Sequence, residues 1–274
     1  MYFCNMLRNK FFILLGVMCL MLFVSCNKHT QILKSTDNEY KFKAAMSYYE
    51  HKDYNRALQL FDILQSAYRG KPQGEEIAFY TAECYYNLKD YNIASHYYKR
   101  YVVNYPFAKN AESSLFRSAC CYYLESPSIE LDQEESYVAI KEFKNFIDIY
   151  PQSALVDSAN RLIETLQFKI AEKDFKTCML YYKMEEYQAA ITSFESYMRE
   201  YPTTIHREEI MNYMVLTYLK YAENSVASKQ RERYELAIEK YNTLMYMYPE
   251  SKYISQLEPT IEKIKLELSN KKTK

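Results

Sequence analysis

The chain has 274 residues with 35 basic and 35 acidic side chains, and this balance argues against nucleic acid as a partner, which would call for a basic patch. It holds 3 Gly, so phosphate-cradling loops and nucleophile elbows, which need glycine for positive φ and close backbone approach, cannot be written into it. With 31 Tyr, 14 Phe and no Trp, the composition suits aromatic-packed helices.

The first 25 residues stand apart. Arg8 and Lys10 precede an apolar run of 14 residues, Phe11 to Val24. A bilayer span takes about 20 residues, so the run reads as the core of a signal peptide. It ends in Leu22-Phe23-Val24-Ser25-Cys26, which resembles a bacterial lipobox with Cys26 as the lipid-attachment residue and membrane contact through the lipid. The bland alternative is an uncleaved membrane anchor. Asn27 stands where an Asp retains many lipoproteins in the inner membrane, so outer-membrane residence is expected. No acid follows Cys26 before Asp37, which favours the periplasmic leaflet over the cell surface. Removing residues 1–25 takes away two basic residues and no acids, leaving a net charge of −2. Residues 26–37 are polar and read as a flexible tether.

From residue 38 onward one skeleton recurs. Ala94, Tyr98, Tyr101 and Tyr105-Pro106 repeat as Ala139, Phe143, Phe146 and Tyr150-Pro151. The same skeleton returns as Ala190, Phe194, Tyr197 and Tyr201-Pro202, and as Ala237, Tyr241, Leu244 and Tyr248-Pro249. An earlier copy, Ala57, Phe61 and Leu64, lacks the proline. Offsets of four and seven put the three apolar residues on one helical face, and the residue before each Pro is pushed out of the α region. Twelve residues upstream of Ala57, Ala94 and Ala190 stand Ala45, Ala82 and Cys178, each followed three residues on by Tyr. Two helices joined by a tight turn such as Lys52-Asp53 or Lys89-Asp90 fit that spacing, and the pattern resembles the tetratricopeptide repeat point by point. An all-α tetratricopeptide superhelix is therefore expected over 38–268. Its five repeats lie near 38–70, 75–106, 112–151, 171–202 and 208–249, with a capping helix at 251–268 that Pro259 should kink or split. Eight extra residues around Glu125 to Glu130 and ten around Ser225 to Arg231 predict loops or helix extensions in repeats three and five.

Counting from the small residue of each first helix, a Phe and a Tyr recur seven residues apart: Phe42 and Tyr49, Phe79 and Tyr86, Phe116 and Tyr123, Phe175 and Tyr182. The fifth repeat has Asn212 and Leu219 instead. Two readings stay open: an aromatic ladder that packs repeat on repeat, or a groove that receives an extended apolar peptide, with Phe42, Tyr49, Phe79, Tyr86, Phe116 and Tyr123 as its first members. Cys84, Cys120, Cys121 and Cys178 lack CxxC or His pairing and read as structural thiols, so no metal or other cofactor is expected. His51, His96 and His206 have no partner at ligand spacing and read as packed or solvated.

Lipobox, tether, five repeats in about 250 residues and enlarged third and fifth repeats together resemble the BamD family, the lipoproteins of the outer-membrane β-barrel assembly machine. The resemblance implies a non-catalytic scaffold at the periplasmic face of the outer membrane. It implies a BamA-like barrel subunit, contacted through its periplasmic repeats, and unfolded outer-membrane proteins as partners. Another periplasmic adaptor of the same repeat type, coordinating cell division or peptidoglycan synthesis, is the alternative. Glycan capture of the SusD type would want Trp platforms, and a transglycosylase would want a Gly-containing cleft.

Overall fold

A computed structural model describes residues 28–270. Every regular element among them is helical. Two compact units are present. The first holds the described residues up to Ser128 together with Asp132–Leu166, and the second holds Ile129–Leu131 and everything from Gln167.

In the first unit, a short helix α1 (28–34) is followed by three hairpins. These are α2 (Asn38–Glu50) with α3 (Tyr54–Ala67), α4 (Pro72–Asn87) with α5 (Tyr91–Asn104), and α6 (Ala111–Glu125) with α7 (Glu134–Ile149). The N-terminal part of α8 (Val156–Lys183) completes it. The rest of α8 pairs in the second unit with α9 (Tyr187–Glu200), followed by α10 (Arg207–Glu223), α11 (Ala227–Met247) and α12 (Lys252–Asn270).

The recurring skeleton is the core. Ala45, Ala57, Ala82, Ala94, Ala119, Ala139, Ala190 and Ala237 are all fully buried, where a bare methyl lets two helices approach. Phe61, Tyr98, Phe143 and Phe194, four residues beyond, are fully buried too. Tyr105, Tyr150, Tyr201 and Tyr248 cap their helices with nearly one geometry, φ from −119° to −136° and ψ from 57° to 69°. Each donates its N–H to the carbonyl four residues back, at 2.8–2.9 Å. The proline that follows excludes the helical ψ and so fixes where the chain leaves. The first hairpin lacks that proline and turns with glycine. Gly70 has φ +76°, and a Cβ on Gly74 would sit 2.3 Å from the Tyr68 carbonyl oxygen.

The structure differs from two expectations. Residues 28–34 of the predicted tether are helical and packed: Ile32 joins the first core, and His29 is buried between Tyr48 and Gln59. An Ile and a Leu one after another in a polar stretch are too few for a periodic signal, yet Ile32 alone suffices to dock one helical turn. The fourth repeat's first helix begins at Val156, ahead of the expected 171, because nothing between Ser153 and Lys183 breaks a helix. Of the two outcomes expected at Pro259, splitting does not occur: α12 runs through it. Its ring removes the N–H that would bond the Ser255 carbonyl four residues back, and Ser255 is an exposed residue. The eight-residue insertion is the loop between α6 and α7, tied by Gln133 Nε2 donating to the Ser128 carbonyl at 2.8 Å. The ten-residue insertion lengthens helices instead, giving α10 17 residues and α11 21, against 14 in α9.

Candidate functional site

Phe42 and Tyr49 on α2, Phe79 and Tyr86 on α4, and Phe116 and Tyr123 on α6 are all half-buried. Each Phe leans on the second helix of a hairpin or its end. Phe79 lies 5.7 Å from the Tyr101 ring, Phe116 lies 5.4 Å from Phe146, and Phe42 lies 6.3 Å from Tyr68. Tyr49 meets Tyr80 edge-on at 4.8 Å, and Tyr86 meets Tyr91 at 5.6 Å. Such edge-to-face pairs add about 0.5–1.5 kcal/mol beyond area burial. The rings thus staple helices together while part of each stays in solvent. Cys26 lies outside the described residues.

At the centre of this face is a charged cluster that the sequence pattern did not single out. Glu83, directly after the buried Ala82, is itself buried. Its carboxylate accepts from Arg117 Nη1 at 2.5 and 2.6 Å, from the Tyr98 hydroxyl at 2.6 Å and from the Tyr49 hydroxyl at 3.4 Å. Burial would charge a carboxylate at a cost of several kcal/mol, and the guanidinium with the phenols offsets it. Burial pushes the Tyr49 and Tyr98 hydroxyls well above their ordinary range, with the Glu83 charge adding to it. For Arg117 burial acts the other way, but Tyr98 and Glu83 outweigh it and hold the guanidinium charged. Its side chain is 40% exposed and lies 5.7 Å over the Tyr86 ring. A cation fixed by Glu83 below and Tyr86 beside it, ringed by partly exposed aromatics, can hold an apolar segment and orient a polar backbone. The one sequence signal was a carboxylate at a position flanked by Thr81, Ala82 and Cys84, all buried.

In the second unit Phe175 and Tyr182 occupy the matching places on α8. Phe175 stacks on His206 at 3.9 Å with the planes 3° apart, and His206 Nε2 meets Glu172 Oε1 at 2.5 Å. Tyr182 meets Tyr213 at 4.9 Å and has Lys220 5.4 Å from its ring centre. Asn212 and Leu219 of α10 are buried. The acids and bases from Lys229 to Glu235 pair with one another along α11, Lys229 with Glu232 at 2.9 Å and Arg231 with Glu235 at 3.0 Å.

The thiols are poor nucleophiles. Burial pushes Cys84, Cys120 and Cys121 each up to about 12, and raises Cys178 as well. Among the described residues no group of three His, Cys, Asp or Glu could hold a metal ion, and no helix is long and apolar enough to cross a membrane.

Residues 34–233 match the model of a protein family, YfiO, described as outer membrane lipoprotein. The chain is also similar to a solved TPR repeats protein from Bacteroides fragilis, at 12% identity and a TM-score of 0.38, over 84% of this chain and 100% of that one. Curated proteins give no match.

Proposed function

Because this chain belongs to the YfiO family of outer membrane lipoproteins, the same family its repeat layout resembles, we propose that it works in the assembly and insertion of β-barrel proteins into the outer membrane. The coarser statement stands without that step: the chain is an adaptor of tetratricopeptide helix pairs, a fold whose business is contact with other proteins. In the finer reading it is acylated at Cys26, lies at the periplasmic face and catalyses nothing. The aromatic face of the first unit receives the terminal strand of an unfolded barrel protein, and the C-terminal helix pairs contact a BamA-like subunit.

The observation that carries the reading is the family match, which runs through both units. The chemistry of the first unit supports it. A barrel strand presents apolar side chains alternating with polar ones and ends in an aromatic. Half-buried Phe79, Tyr86 and Phe116 offer apolar contact, and Arg117 offers a donor at fixed position. The test is purification of the acylated protein with identification of what accompanies it, joined to titration with a barrel protein's C-terminal strand peptide. A barrel-forming subunit in the complex and saturable peptide binding, weakened by Tyr86→Ala, are expected. Cell-wall synthesis or division proteins in place of a barrel subunit would overturn the assignment.

A further inference from the structure

Only Asn27 stands between Cys26 and the first described helix, and α1 is bound to the body of the first unit. Its Ile32 is 3% exposed within the core that Ala45 and Ala57 share. Its His29 ring lies edge-on to Tyr48 at 5.3 Å, with Nε2 2.9 Å from Gln59 Oε1 and Nδ1 3.3 Å from the Tyr48 hydroxyl. Tyr48 is in the last turn of α2 and Gln59 is in the second turn of α3. The start of α1 therefore lies toward the end of the hairpin where Lys52 makes the turn. Two extended residues reach about 7 Å. An acyl anchor on Cys26 thus has no slack: it holds this end of the hairpin at the level of the lipid headgroups.

We propose that the turn edge of the first unit, carrying Lys52 and Lys89 at its tips, is a docking surface for the phosphates of membrane lipids. This rests on the acylation of Cys26 proposed above. At both tips the chain closes the same way: the N–H of Lys52 and of Lys89 bonds the carbonyl three residues back, and the next N–H bonds one five back. That closure needs a left-handed residue, with φ +62° at Lys52 and +65° at Lys89, a place usually given to Gly or Asn. Both lysines are exposed, as is Lys28 on α1. Half-buried Tyr54 and Tyr91 begin the next helices, and tyrosine suits the boundary between headgroup and water. Arg56, Glu50, Asp53 and Asp90 share the edge, and Asp53 is paired with Arg56 at 3.2 Å. The corresponding connection of the third hairpin carries Glu125, Asp132, Glu134 and Glu135 instead. The lysine tips are confined to the two hairpins that follow the anchor.

The chain has no Trp, so single Trp reporters read without background. Exposed His51 sits at the turn edge, and fully exposed Phe107 sits beyond the far end of α5, about 20 Å away along a 14-residue helix. Acylated full-length His51→Trp and Phe107→Trp are reconstituted into phosphatidylethanolamine–phosphatidylglycerol vesicles that contain a dansyl-headgroup lipid. Energy transfer from position 51 is expected to exceed that from position 107 severalfold, and the double reversal Lys52→Glu with Lys89→Glu, a residue the same turn holds at Glu185, is expected to abolish the difference. Glu50→Trp, at an exposed position, serves if the His51 variant folds poorly. Equal transfer from both positions, or a difference that survives the two charge reversals, would overturn the proposal. Vesicle flotation separates the two failures: protein that floats no better than Cys26→Ser shows that acylation itself was wrong, whereas protein that floats with equal transfer defeats the docking surface alone.

Discussion

In the first unit the left-handed residues at the hairpin tips are Lys52 and Lys89, whereas in the second the matching residue is Glu185, with φ +60°. The backbone is the same in all three turns, so geometry demands only a residue that tolerates positive φ and leaves its charge open. A similar divergence marks the aromatic faces. Both units set a Phe and a Tyr seven residues apart on a first helix. In the first unit these rings surround a buried Glu83 whose counterion, Arg117, reaches solvent. In the second unit Phe175 is covered by the stacked His206, and the next positions, Asn212 and Leu219, are buried. The repeat thus dictates the packing, while residues one step off the packing positions give each unit its own surface.

The largest effect is expected at the cluster found only in the first unit. Arg117→Ala leaves Glu83 buried with only phenols to solvate it and should cost about 3 kcal/mol. Hydrogen exchange should show α4–α6 opening more readily while protection in α10 and α11 stays unchanged. Loss of protection in both units alike would mean that the cluster is not local to the first.

The shared packing should respond alike in the two units. Ala94→Leu and Ala190→Leu each put three extra carbons into a fully buried crossing, for about 1–3 kcal/mol. Both denaturation midpoints should fall. If neither moves, the pairing of small residues with helix crossings is wrong.

Tyr49→Ala and Tyr86→Ala lose edge-to-face contacts but not a fully buried ring, so about 1.5 kcal/mol is expected, less than the 3–5 kcal/mol of a core deletion. Peptide titration on the folded protein should still show weakened capture of a barrel protein's terminal strand. Intact affinity in both variants would assign these rings to packing alone. Tyr182→Ala, under Lys220 in the second unit, should lower stability by a similar amount and leave that affinity unchanged.

The smallest effect tests the turns themselves. Lys52→Gly and Glu185→Gly relieve a left-handed conformation at exposed positions and should each raise stability by about 0.5 kcal/mol, the relief being partly offset by greater freedom of the unfolded chain. Thermal melts of the two variants should agree. A gain in one unit only would show that the two turns, alike in φ, differ in strain.

Periodicity carried the repeats because each small residue, aromatic and Tyr-Pro acts within a single helix or its end, and local geometry reads out at fixed offsets. The buried alanines of the recurring skeleton and the four pre-proline caps were legible for that reason. So was the place of each enlarged repeat, since an insertion changes a spacing. Spacing alone did not say that one insertion becomes the loop before Glu134 and the other the extra turns of α10 and α11. The docking of α1 through His29 and Ile32 was likewise decided in three dimensions, by partners 19 and 30 residues along the chain. The Glu83–Arg117 pair spans 34 residues and three helices, and no spacing rule announces a carboxylate that is tolerable in a core only because a guanidinium arrives from elsewhere. Sequence by itself determined the helices and the faces they bury; tertiary structure decided which charges meet, because a buried charge is stable only where distant side chains converge to replace water.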